Sequence, residues 1–148
     1  MTPETDPSDP ALTALAGETR VAVGRLSRRL RQEKAEHELS DAQFGVLALL
    51  QREGPKTLGE LADSERVRPP SMTRTVACLV DDGLAERLAD PSDGRVTRIR
   101  PTAEGTALVL DVRRSRDAWL VARLRELSPD QRALLRDAAA LLREVADR

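Results

Sequence analysis

The sequence predicts a mainly α-helical chain carrying one small β-hairpin. Three observations carry this. Aromatic residues make up only 1% of the chain while apolar residues reach 40%, so the core is built from Leu, Val and Ala, which suits helix-on-helix packing. Helix-start chemistry recurs at five places, because an Asp, Ser or Thr side chain satisfies the unpaired amides of a first helical turn. Near the middle, Leu84 to Asp90 and Val96 to Pro101 read as short β-compatible segments. The Pro91-Ser92-Asp93-Gly94-Arg95 stretch between them supplies the turn residues of a hairpin loop.

The elements follow in order. Residues 1–9 are polar and acidic and read as a disordered lead-in. Ser8 or Asp9 then starts a long amphipathic helix from Pro10 to about Glu38, with Leu12, Leu15, Val23, Leu26 and Leu30 on one face and arginines crowding the others. Ser40-Asp41-Ala42-Gln43 is a capping box opening a helix over 41–53, which Gly54-Pro55 stops. Thr57-Leu58-Gly59-Glu60 is a second box, opening a short helix to Ser64. The next helix starts at Pro69, since Arg68 precedes a proline and is kept out of the α region, and Gly83 ends it. Its expected buried stripe is Met72, Val76, Leu79 and Val80, packed on Leu58, Leu61 and Ala62, with Val67 plugging the turn. After the hairpin, Thr102 starts a helix to about Leu127. Ser128-Pro129-Asp130-Gln131, the third capping box, opens a last helix to Asp147 with an apolar stripe through Leu134, Leu135, Ala138, Leu141, Leu142 and Val145.

Composition narrows the function classes. The lone Cys78 excludes an intramolecular disulfide framework and a multi-thiolate zinc site, and the lone His37 removes most histidine-based metal chemistry. No cofactor is expected. The N-terminus lacks the basic and apolar regions of a signal peptide, and no run approaches membrane-spanning length. A cytoplasmic protein without a membrane partner is expected. No nucleophile stands with a base, and the carboxylates read as caps and surface charge, so the chain is not expected to be an enzyme.

Helix, short turn, helix and hairpin form the order of a winged helix-turn-helix, over about 40–101. Such a fold reads DNA with the first turn of its second helix, which needs small or hydrogen-bonding residues there and cations beside it. Pro69-Pro70-Ser71-Met72-Thr73-Arg74 meets that need, with Arg66 and Arg68 just before it to hold phosphates. A solvated helix with scattered arginines would carry the same residues. At the hairpin tip Arg95 suits a narrow minor groove, and Arg98 and Arg100 could extend the positive strip, although a simple solvated hairpin is the plainer reading of those two. Seven arginines stand against five acidic residues from Arg66 to Arg100, so the acidic side chains must lie away from DNA.

The fragments Leu58-Gly59-Glu60-Leu61-Ala62, Ser71-Met72-Thr73-Arg74-Thr75-Val76, Asp82-Gly83-Leu84, Asp90-Pro91-Ser92-Asp93-Gly94-Arg95 and Thr102-Ala103-Glu104-Gly105, in that order and spacing, resemble the multiple-antibiotic-resistance regulator (MarR) family. The resemblance implies a transcriptional regulator of double-stranded DNA in which Ser71, Thr73 and Arg74 face the major groove and Arg95 enters the minor groove. Asp93 would orient the wing. It also implies a homodimer clasped by the helices at about 10–38 and 102–147, reading a pseudo-palindrome as a repressor, with release by a small aromatic or amphipathic effector. Arg98 and Pro101 depart from the resemblance, standing where aliphatic residues are usual. Trp119 reads as a packing residue and Cys78 as an unreactive small residue on the outer face of the second helix. The competing function is a winged-helix module that binds a protein partner without specific DNA binding.

Overall fold

A computed structural model of the chain describes residues 9–33 and 39–148. Among the described residues six helices and one hairpin run in the order α1 (Pro10–Gln32), α2 (Asp41–Glu53), α3 (Leu58–Glu65), α4 (Pro69–Asp81), β1 (Ala85–Ala89), β2 (Thr97–Pro101), α5 (Ala103–Arg125) and α6 (Pro129–Asp147). The expected fold class is therefore the observed one, and the three capping boxes at Ser40, Thr57 and Ser128 are all formed. Each is worth about 1 kcal/mol to its helix. Asp9, rather than Ser8, caps α1, accepting from the amides of Ala11 and Leu12. That helix is described to Gln32, with Glu33 as its C-cap, and the expected end at Glu38 lies outside the described residues. The readings of the lead-in at 1–8 and of His37 lie outside the described residues.

Two compact units separate, one of 39–118 and one of 9–33 with 119–148, the boundary falling inside α5. In the larger unit Leu47 and Leu50 of α2, Leu61 of α3, Val76 and Leu79 of α4 and Ile99 of β2 are fully buried. Each such side chain contributes about 1.5–3 kcal/mol relative to exposure. Within α4, Met72, Val76 and Leu79 form the buried stripe while Val80 is only half-buried. Val67 does not plug the turn: it is 41% exposed. The cause is Arg66, which closes α3 in the left-handed conformation (φ 52°). This brings the Val67 N–H back to the Ala62 carbonyl at 3.0 Å, and the Val67 side chain turns outward.

The hairpin pairs Ala85 with Pro101 through Ala89 with Thr97. Lys56, in the connection between α2 and α3, adds an isolated bridge to Ile99, with N···O distances of 3.1 and 2.7 Å. That bridge fastens the middle of β2 to the connection that precedes α3. Thr102 opens α5 as expected: its hydroxyl donates to the Gly83 carbonyl (2.7 Å) and accepts from the Gly105 amide (3.1 Å).

In the smaller unit, the Trp119 ring lies under the guanidinium groups of Arg29 and Arg123, 4.9 and 5.4 Å from its centroid. Neither α1 nor α6 buries a residue in the single chain. Their apolar stripes, including Leu15, Leu134, Leu141 and Val145, stay in solvent. No helix among the described residues is long and apolar enough to cross a membrane.

Candidate nucleic-acid interface

The first turn of α4 is built by its prolines. Arg68 at the N-cap is extended (ψ 141°), and Pro69 and Pro70 occupy the first helical positions. Neither has an N–H, and the next two amides, of Ser71 and Met72, already bond the Arg68 carbonyl at 3.0 and 3.2 Å. This helix start offers no free amide of the kind that usually holds a phosphate. An anion there must be met by side chains, and exposed Arg66, Arg68 and Arg74 supply them. Among the described residues none of the three is drawn into an ion pair. Ser71 and Thr73 are exposed beside Arg74. The Thr73 hydroxyl donates to the Pro69 carbonyl at 3.0 Å, so its oxygen is left as an acceptor beside the methyl group. Cys78 and Asp81 continue the same outer face.

Arg66 carries a conformational cost for its place. A non-glycine residue in the left-handed region costs about 1 kcal/mol or more, and helix ends of this kind usually carry glycine. Arg66→Gly is therefore expected to stabilise the fold by about 0.5–1 kcal/mol. In DNA binding the same variant should flatten the salt dependence by about one phosphate contact per chain. Urea melts and a salt titration check the two halves, and a variant no more stable than its parent would refute the strain argument.

The wing is ordered by two carboxylates. Asp93 accepts from the Arg95 backbone N–H at 3.1 Å and from its guanidinium at 3.2 and 3.3 Å. It thus holds the Arg95 guanidinium while the side chain stays 92% exposed. The second carboxylate, Asp90, is the residue that sequence reasoning missed. It is buried and accepts from the Ser92 hydroxyl (2.5 Å), the amides of Ser92 (2.8 Å) and Asp93 (3.2 Å), and the Arg98 guanidinium. The signal was present in Asp90-Pro91-Ser92, since Asp side chains bond backbone two residues on.

These bonds, the Ser92 hydroxyl foremost, then Arg98 and the Ser92 amide, hold the Asp90 carboxyl well below the usual carboxylate range against the opposing effect of burial. A depressed value means the charged form is bound more tightly in the folded state. Its contribution is complete above about pH 4 and is lost as pH falls toward the folded value. Asp90→Asn is accordingly expected to lower the urea midpoint at pH 7, and the gap from the parent should narrow in melts at pH 3. A gap that widens on acidification would show the opposite sign.

Arg98 and Arg100 do not form a free positive strip. Arg100 pairs with Glu86 across the hairpin at 2.6 Å. Arg98 bonds Asp90, Glu60 and the Pro55 carbonyl, the latter two at 3.3 Å. The structure thus groups Pro70, Ser71, Thr73 and Arg74 on one exposed helix start, with Arg66 and Arg68 in the turn before it. Arg95 and Asp93 sit at the wing tip, and Arg98 is engaged within the protein. On the hairpin, Arg87 is exposed and, among the described residues, enters no ion pair, a cation whose availability the sequence did not single out.

Comparison with known proteins bears on the family and the fold. Residues 39–97 match the model of the MarR family. The chain is 44% identical over 133 residues to an HTH-type transcriptional regulator from Mycobacterium leprae, covering 90% of this chain and 93% of the relative. It is 43% identical, with the same coverage, to one from Mycobacterium tuberculosis. Among solved structures, a transcriptional regulator protein from Pseudomonas aeruginosa superposes with a TM-score of 0.83 at 34% identity, covering 96% of this chain and 99% of that one. A MarR family protein from Bacillus stearothermophilus gives the same TM-score at 23% identity, with coverage of 93% and 96%, and supports the fold. By sequence, by fold and by the order of its helix-turn-helix and wing, this chain belongs to the MarR family of DNA-binding transcriptional regulators.

Proposed function

We propose that this protein is a homodimeric repressor that reads a pseudo-palindromic operator. Ser71, Thr73 and Arg74, with Pro70 fixing the helix start, enter the major groove; Arg66 and Arg68 hold phosphates; Arg95, oriented by Asp93, enters the minor groove. The observation that carries the DNA-binding half is the set of exposed arginines without ion-pair partners around an α4 start that has no free amide. The dimer half rests on the apolar faces of α1 and α6, where Leu134 is 72% exposed and Val145 69%. Exposure on that scale marks an interaction surface, and a two-fold dimer would present two recognition helices about 34 Å apart. Such a dimer represses by occupying a promoter in the cytoplasm, and a small aromatic or amphipathic effector that favours a differently spaced pair would release it.

Fluorescence anisotropy with the DNA upstream of the protein's own gene, across a salt series, tests the reading, with sedimentation to count subunits. Tight binding that weakens steeply with salt, two chains per operator, supports it. Binding no tighter than to random DNA would sink it in favour of a protein-binding winged helix. Candidate effectors are then added to the bound complex, and loss of anisotropy identifies one.

A further inference from the structure

A two-stranded hairpin is marginally stable alone, so a wing that delivers a side chain to DNA must be held from outside. The middle of β2 is held by the bridge from Lys56 to Ile99. Further out, Arg98 stands next to Thr97, the first residue of β2, and opposite Leu88. Its guanidinium makes three attachments at once: to Asp90 in the wing, to Glu60 in the first turn of α3, and to the Pro55 carbonyl in the connection before α3. Both carboxylates are already anchored. Glu60 accepts from the Thr57 amide at 2.8 Å as half of a capping box. Asp90 organises Ser92 and Asp93, and Asp93 in turn holds Arg95. An unbroken series of bonds therefore runs from the start of α3 through Arg98 and Asp90 to the arginine at the wing tip. An aliphatic residue at 98 could make none of the three attachments.

We propose that Arg98 is a positioning residue for DNA binding, clasping the wing to the start of α3 so that Arg95 is held in a set relation to the helix-turn-helix. The proposal rests on the reading of Arg95 as a DNA contact, but half of its test does not. The clasp acts as one unit because the guanidinium is a planar fork serving separate acceptors, which a lysine, a single point charge, cannot reproduce. Arg98 and Arg95 then contribute to affinity jointly rather than independently.

Amide hydrogen exchange on the free protein reads the clasp directly. The reporters are Asp90 N–H, bonded to Val96 O at 2.8 Å, and Val96 N–H, bonded to Asp93 O at 2.9 Å; the reference is Leu84 N–H, bonded to Leu79 O at 2.8 Å. In Arg98→Leu the reporters should exchange about tenfold faster or more while the reference is unchanged. Arg98→Lys should fall between the leucine variant and the parent. Unchanged reporters in the leucine variant, or an equal rise at the reference, would overturn the proposal.

The second arm is a double-mutant cycle on operator DNA. The penalty of Arg95→Ala should shrink from about thirtyfold or more in the parent to less than about twofold in the Arg98→Leu background. Penalties that simply multiply would overturn the coupling. A parent chain that binds no operator would defeat the proposed function through this arm alone, since the exchange arm uses no DNA.

Discussion

Arg95→Ala, and separately Arg74→Ala, is expected to lower operator affinity by at least about thirtyfold while leaving the thermal midpoint within a degree or two. An arginine that contacts a base edge or lines a groove contributes about 1–3 kcal/mol. A two-fold dimer loses both copies, so the combined cost is roughly 2–6 kcal/mol, which at about 1.4 kcal/mol per decade gives the stated fall. Stability should barely move because both side chains are exposed and neither is part of the buried core. The two variants should differ in kind. Arg74 lies beside Ser71 and Thr73, so its loss should relax discrimination between operator variants. Arg95 sits on a tip held by Asp93, and its loss should reduce affinity most for operators with narrow A·T-rich flanks. Anisotropy against a small operator library measures both, and a loss below threefold for either variant would remove that residue from the interface.

Gly105→Ala should be the most destabilising single methyl group in the protein. A Cβ built at Gly105 falls 2.0 Å from the Leu84 carbonyl oxygen and 3.3 Å from a Leu47 methyl carbon. The oxygen is not a flexible side-chain tip: it belongs to the backbone between α4 and β1 and accepts the Thr102 N–H at 3.0 Å. To admit the methyl group, the first turn of α5 must lift from this connection, breaking the seat set by Thr102 and Gly83. Overpacking of a rigid site of this kind costs about 3 kcal/mol, and for a chain of this size the thermal midpoint should fall by on the order of 10 °C. The sign is diagnostic, because Ala normally favours a helix over Gly by about 1 kcal/mol. Gly59→Ala in α3, whose nearest obstacle is the Thr57 hydroxyl at 3.9 Å, should therefore be neutral or mildly stabilising. Equal midpoints for the two variants would refute the close-approach argument.

Much of this was legible without coordinates because helix boundaries are set by short-range chemistry. A Ser or Thr three residues before a Gln or Glu caps its own helix, and a proline excludes its predecessor from the α region, wherever the segment packs. Hence α2, α4 and α6 begin where the residues say, and Ser71, Thr73 and Arg74 fall on the solvent side of α4 because its buried stripe is periodic. The turn and wing tip were legible as well, since their exposed arginines neighbour recognisable turn residues.

What the sequence by itself determined is thus the set of elements, their order and the exposed faces, all properties of residues within a few positions of one another. The tertiary structure alone decided where Arg98 and Arg100 spend their side chains. Period-2 alternation placed Arg98 on a strand face but could not reveal that Glu60, Pro55 and Asp90 converge there, because those groups stand up to 43 positions from Arg98 in the chain. The Lys56 bridge and the close seat of Gly105 on Leu84 are equally non-local. A charged side chain settles wherever the fold brings a partner of opposite charge within reach, and that meeting is a property of packing rather than of any stretch of sequence.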